Sequence, residues 1–68
     1  MGYTYTIEYR LDNIEDYDKT EYIDDIPTKK EAKKQVKDIL KEYDKRVVLL
    51  DIKKYDSDGF LDNVEQVI

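Results

Sequence analysis

In KKYDSDGFLDNVE four carboxylates, Asp56, Asp58, Asp62 and Glu65, surround a single glycine, Gly59, and no other stretch of the 68 residues looks like an equipped active site. Hard oxygen donors gathered on one loop can replace the water shell of a calcium ion. The same letters also write a turn. Asp at the first position of a type I turn and Gly at the fourth suit a hairpin closed by a glycine bulge. The rest of the chain offers little else. It has no histidine and no cysteine, so a general base poised near neutrality would have to be a carboxylate or lysine shifted strongly by burial. An ordinary zinc site is excluded by the same composition. Ser57, the single serine, sits in the turn, and Gly2 is the other glycine. Neither a glycine-rich phosphate loop nor a nucleophile elbow is written here. Enzymatic activity and a cofactor are therefore not expected.

With Gly59 set at the sixth position, Lys54 to Glu65 resembles an EF-hand calcium loop over 12 of the 68 residues. Asp56, Asp58 and Asp62 then occupy positions three, five and nine, Glu65 the twelfth, and Leu61 the aliphatic eighth. The resemblance implies a calcium ligand set, but Lys54 puts a cation where the first ligand belongs. The segment entering the loop reads as a strand, and there is no second loop to pair with. The hairpin is the preferred reading, and no metal is expected.

The elements that flank this turn are legible from periodicity. Tyr3, Tyr5, Ile7, Tyr9 and Leu11 alternate with Thr4, Thr6, Glu8 and Arg10, the period-two pattern of a half-buried strand. After the turn-forming DNIEDYDK, a weaker strand is expected around Thr20 to Ile23. Pro27 and Thr28 announce a helix of about residues 28–44, with Thr28 and Glu31 spaced as a capping box. Ala32, Val36, Ile39, Leu40 and Tyr43 form one apolar stripe, and lysines occupy the remaining faces. RVVLLDIKKY is a strand, regular in Val48, Leu50 and Ile52, with Val47 and Leu49 making its second face apolar as well. FLDNVEQVI alternates poorly and is read as a strand because a turn precedes it.

The expected fold is a single α+β domain over residues 1–68, ββαββ in order, with a four-stranded, mainly antiparallel sheet and one helix on one face. In element order and size it resembles the β-grasp layout of the immunoglobulin-binding domains of protein G. That likeness implies that the first and last strands pair at the centre. The doubly apolar third strand instead argues for its own central place, or for a dimer that covers it.

Charge is the remaining signal. Residues 1–27 hold eight acids and two bases, residues 28–46 four acids and eight bases, and residues 47–68 five acids and two bases, within a net charge of −5. Lysines of the helix could serve direct nucleic-acid binding, but the acidic flanks, and Asp38 and Glu42 on the same helix, weigh against it. The acidic stretch DNIEDYDKTEYIDD is either an edge protected by charge or a surface offered to a basic partner. The partner-binding residues expected on the second reading are Asp16, Tyr17, Asp18, Glu21, Tyr22, Asp24 and Asp25, since tyrosine is enriched at interfaces and carboxylates can occupy phosphate sites. Tyr3, Tyr5, Tyr9 and Tyr43 are assigned to the core, and Tyr55 is freer. Val47, Leu49 and Tyr55 are candidates for self-association as a homodimer.

In size, acidity and the absence of catalytic equipment the chain resembles phage or mobile-element inhibitors that mimic DNA, such as anti-CRISPR and anti-restriction proteins. The resemblance implies a protein-binding inhibitor whose partner is a basic nucleic-acid-binding protein, working in the host cytoplasm. The lysine-rich helix departs from a uniformly acidic mimic. Structural assembly by homo-oligomerisation is the rival expectation. No run approaches the roughly 20 apolar residues of a membrane helix, the polar start is unlike a signal peptide, and the lack of cysteine fits a cytoplasmic location.

Overall fold

A computed structural model describes residues 2–12 and 20–68. Its elements are β1 (Thr4–Leu11), β2 (Glu21–Ile26), α1 (Lys29–Tyr43), a 3-10 turn (Asp44–Arg46), β3 (Val47–Tyr55) and β4 (Leu61–Gln66). The strands form one sheet in the order β2-β1-β3-β4, with every neighbouring pair antiparallel. β3 is central, as its apolar residues demand: it sends Val47, Leu50 and Ile52 into the core, whereas β4 (LDNVEQ) sends none. The first and last strands are therefore not neighbours, and the sheet departs from the β-grasp pairing in this respect. β2 runs to Ile26, three residues beyond its expected end.

Two register shifts decide which residues reach the core. Ile7 pairs with Ile23 and Tyr5 with Ile26, so β2 carries one extra residue there, and Asp25 accommodates it with φ +59°. On the other side of β1, Arg10 pairs with Leu49 and Leu11 with Val47, which leaves Val48 as the extra residue. An inserted residue reverses strand parity, so apolar residues three apart, Ile23 with Ile26 and Val47 with Leu50, share one face. This corrects two expectations. Val47 is 7% exposed in the core instead of lying on the opposite face, and Val48 is 49% exposed instead of continuing the Leu50 and Ile52 face.

The helix begins where the sequence indicates. Thr28 Oγ1 accepts from the Glu31 amide at 3.2 Å, satisfying one of the free donors of the first turn, and the Thr28 carbonyl accepts from the Ala32 amide at 3.1 Å as the first bond of the helix ladder. It stops at Tyr43 because Asp44 turns to φ +50° while its amide still donates to the Leu40 carbonyl. Ala32, Val36 and Ile39 are buried against Ile7, Ile26, Leu50 and Ile52. Burial of each valine, leucine or isoleucine side chain contributes about 1.5 to 3 kcal/mol. At the margin, Tyr9 and Tyr43 stack with ring centroids 6.2 Å apart. Tyr5 also packs on the core, but Tyr3 does not: it is half exposed, with the Lys54 ammonium 4.1 Å above its ring. No helix among the described residues is long and apolar enough to cross a membrane.

Candidate protein-interaction surface

The acidic turn spends its oxygens on itself. Asp56 Oδ1 accepts from the amides of Asp58 at 2.9 Å and Phe60 at 3.0 Å, and the Asp56 carbonyl accepts from Gly59 at 3.0 Å. The Asp56 amide donates to the Phe60 carbonyl at 3.0 Å, closing the β3–β4 hairpin. Gly59 takes φ +86°, a conformation that costs an L side chain about 1 to 2 kcal/mol. The other two carboxylates lie on β4 and meet lysines. Asp62 is 3.8 Å from Lys54, and Glu65 is 3.0 Å from Lys29 at the start of α1. The hydrogen bond from Lys29 holds the Glu65 carboxyl below its ordinary pKa. Among the described residues, no group of three carboxylates converges as a metal site would require.

With α1 on one face, the other face of the sheet has no layer over it among the described residues. Strand parity and register set its side chains in rows. Glu8 lies between Tyr22 and Asp51, and Thr6 beside Lys53 and then Val64. Further along, Thr4, Tyr55 and Leu61 form a row, and at the opposite end Arg10 sits beside Leu49. The centre is polar and internally paired: Lys53 Nζ meets Glu8 Oε1 at 2.5 Å, and Thr6 Oγ1 donates to Asp24 Oδ1 at 3.1 Å. The hydrogen bond to Glu8 raises the Lys53 pKa, overcoming the partial burial that opposes it. The margins are apolar and open. Tyr22 is 56% exposed, Leu61 52% and Val64 45%.

Neither Leu61 nor Val64 is expected from the sequence as a contact residue, and the reason is physical. Asn63 pairs with Lys54 but Leu61 with Tyr55, so Asp62 is an extra residue and residues three apart again share a face. The poor alternation of FLDNVEQVI is the trace of that shift. Apolar residues at spacing three within an expected strand were the available signal.

Of the expected partner-binding residues, Asp16, Tyr17 and Asp18 lie outside the described residues. Tyr22 and Asp24 are on the uncovered face at its β2 edge, and Asp25 is exposed in the bulge beside them. Glu21 opens the same strand, opposite Tyr9. Of the self-association candidates, Leu49 and Tyr55 lie on the uncovered face, both partly buried, while Val47 belongs to the core. No protein-family model, no curated protein and no solved structure matches the chain.

Proposed function

We propose that the chain is a non-enzymatic protein-binding module that docks a partner on the uncovered face of its sheet. The observation that carries this reading is the pair of open apolar margins, Tyr22 on one edge strand and Leu61 with Val64 on the other, flanking a polar centre in which Glu8 is paired with Lys53 and Thr6 with Asp24. A partner that covers this face removes apolar surface from water without stranding the Glu8–Lys53 pair. Asp24 and Asp25 at the β2 margin favour a basic partner, and the carboxylates of the acidic stretch would stand where phosphates do on a nucleic-acid-binding protein. Docking there makes the chain an inhibitor of that protein, in keeping with its likeness to DNA-mimicking inhibitors. The lysines of α1 lie across the sheet from this face, which removes the objection that they would repel a basic partner. Exposed charge pairs contribute only about 0 to 1 kcal/mol each, so affinity rests on anchors such as Tyr22.

The test is capture from the source cell by parent protein and by a Tyr22→Lys, Val64→Lys variant, followed by competition with DNA for the captured protein. A partner retained by the parent, lost by the variant and displaced by DNA supports the reading. Equal capture by both removes the sheet face from it, and a captured protein that holds DNA together with a variant of this chain in which Lys30, Lys34, Lys37 and Lys41 are replaced by Gln removes the inhibitor mechanism. The second reading, a homodimer, is favoured by Tyr55, Leu61 and Val64 lying together at one end of the face. Sedimentation of the parent as a monomer at high concentration, unchanged by Leu61→Lys, would exclude it.

A further inference from the structure

The charges on α1 are not mixed. At about 100° per residue, Ala32, Val36, Ile39 and Tyr43 mark the side packed on the sheet, and the charged residues separate into two stripes on the remainder. Lys30, Lys33, Lys34, Lys37 and Lys41 fall within an arc of about 100°, and Glu31, Asp38 and Glu42 within about 40° on the far flank. All five lysines are exposed. The ion pairs of the described residues engage Lys29, Lys53 and Lys54 and none of these five, although Lys33 stands near enough to Glu65 to help lower its pKa. The acids that appear in the sequence to neutralise the helix therefore flank the lysine stripe instead of interrupting it. Lys30, Lys33, Lys34 and Lys37 also wall an open concavity, with Thr28 and Glu31 at its end.

We infer that this stripe docks the phosphate backbone of duplex nucleic acid, independently of base sequence and on the side of the molecule opposite the proposed protein-binding face. From Lys30 to Lys41 the helix rises about 16 Å, along which a duplex presents about one phosphate per 1.7 Å of axis. Lysines spread over this length and arc form a cationic face broad enough to meet several phosphates of a winding backbone. The stripe contains no arginine for bidentate base contacts and no aromatic ring for stacking, so it addresses the backbone of a duplex, not base edges or a single strand. A lipid surface is a poorer match, because the apolar side of α1 is consumed by the core and leaves nothing to insert. The net charge of −5 does not forbid contact. Acids on the far side of the sheet are screened at 0.1 M salt, where the Debye length is about 10 Å.

The experiment is fluorescence anisotropy of a labelled random-sequence DNA duplex titrated with the full chain from 25 to 150 mM NaCl. Saturable binding is expected, with log affinity falling against log salt with a slope of about −3, as for three to four neutralised phosphates. Replacing Lys30, Lys34, Lys37 and Lys41 by Gln, a good helix former, should weaken binding at least ~10-fold and flatten the slope. The opposite variant, Glu31→Gln with Asp38→Asn and Glu42→Gln, should tighten it. That second variant keeps the test decisive if the first fails to fold. Absence of binding by the parent at 25 mM salt overturns the inference, as does a parent-like affinity and slope in the lysine variant. If polyglutamate of equal charge displaces the duplex at equal charge concentration, the stripe is a docking surface for acidic protein segments and the nucleic-acid assignment falls.

Discussion

Lys53 and Glu8 join across the β1–β3 pair at the middle of a sheet face that no described element covers. Their hydrogen bond raises the Lys53 pKa, and desolvation raises that of Tyr9, both favouring the protonated form in the folded state. For each, the stabilisation is complete below the unfolded value, about 10 for tyrosine and lysine, and is lost as pH rises through the higher folded value. Urea melts should show constant contributions from these groups between pH 7 and 9 and a decline above about pH 10. Lys53→Gln and Tyr9→Phe should each make that decline shallower. An unaltered alkaline limb in both variants would contradict the assignment.

The bulge opposite Arg10 and Leu11 separates two adjacent valines. Val47→Ala leaves a cavity in the core and should cost about 2 kcal/mol, whereas Val48→Ala should stay within about 0.5 kcal/mol. Chemical denaturation of the two variants measures the difference directly. The reverse order would mean that the strand keeps simple alternation.

At the hairpin, Gly59→Ala meets no atom within 4 Å but must hold φ +86°, so the cost is backbone strain of about 1 kcal/mol. Gly59→Asn should cost less, since Asn tolerates the left-handed region. Asp56→Ala removes an acceptor from two amides and should cost about 1 kcal/mol. Millimolar calcium should leave the amide resonances of residues 54–65 in place. Saturable shifts at Asp56, Asp58 and Glu65 would restore the calcium-loop reading.

Glu65 offers a check on how α1 is tied to the edge strand. Its carboxyl should titrate below the ordinary glutamate range, and Lys29→Gln should return it toward that range, followed by NMR of the side-chain carboxyl. Because the folded pKa is the lower one, the pairing stabilises above the unfolded value, about 4.3, and is lost as pH falls from there through the lower folded value. An unmoved titration in the variant would mean that the two side chains do not pair in solution.

Element order was legible because it depends on local signals. The Tyr3 to Leu11 alternation, the Thr28 cap and the Asp56 to Gly59 turn each lie within a dozen residues, and each stands where the letters place it. Facing was legible only where strands alternate without interruption. The inserted residues Asp25, Val48 and Asp62 are extra only relative to a partner strand far along the chain, so parity counted along one strand mistook Val47 for surface and passed over Leu61 and Val64. The central place of β3 follows from its apolar residues. The two-stripe arrangement of α1 was present in the sequence too, but charge counted by segment averages over opposite sides of a helix.

The pairing of β1 with β3 also sets the order in which the chain can assemble. The β3–β4 hairpin closes over five residues, Asp56 to Phe60, whereas the nearest β1–β3 pair, Leu11 with Val47, lies 36 positions apart. Loop entropy makes the second closure about 1.7 kcal/mol more costly than the first. Yet Ile7, Leu50 and Ile52, the centre of the core, meet only when that closure is made. Helix and hairpin should therefore form early and remain weak alone, with the refolding rate governed by the central strands finding each other. Substitutions at Ile7 and Leu50 should slow refolding, because their contacts form as the central strands meet.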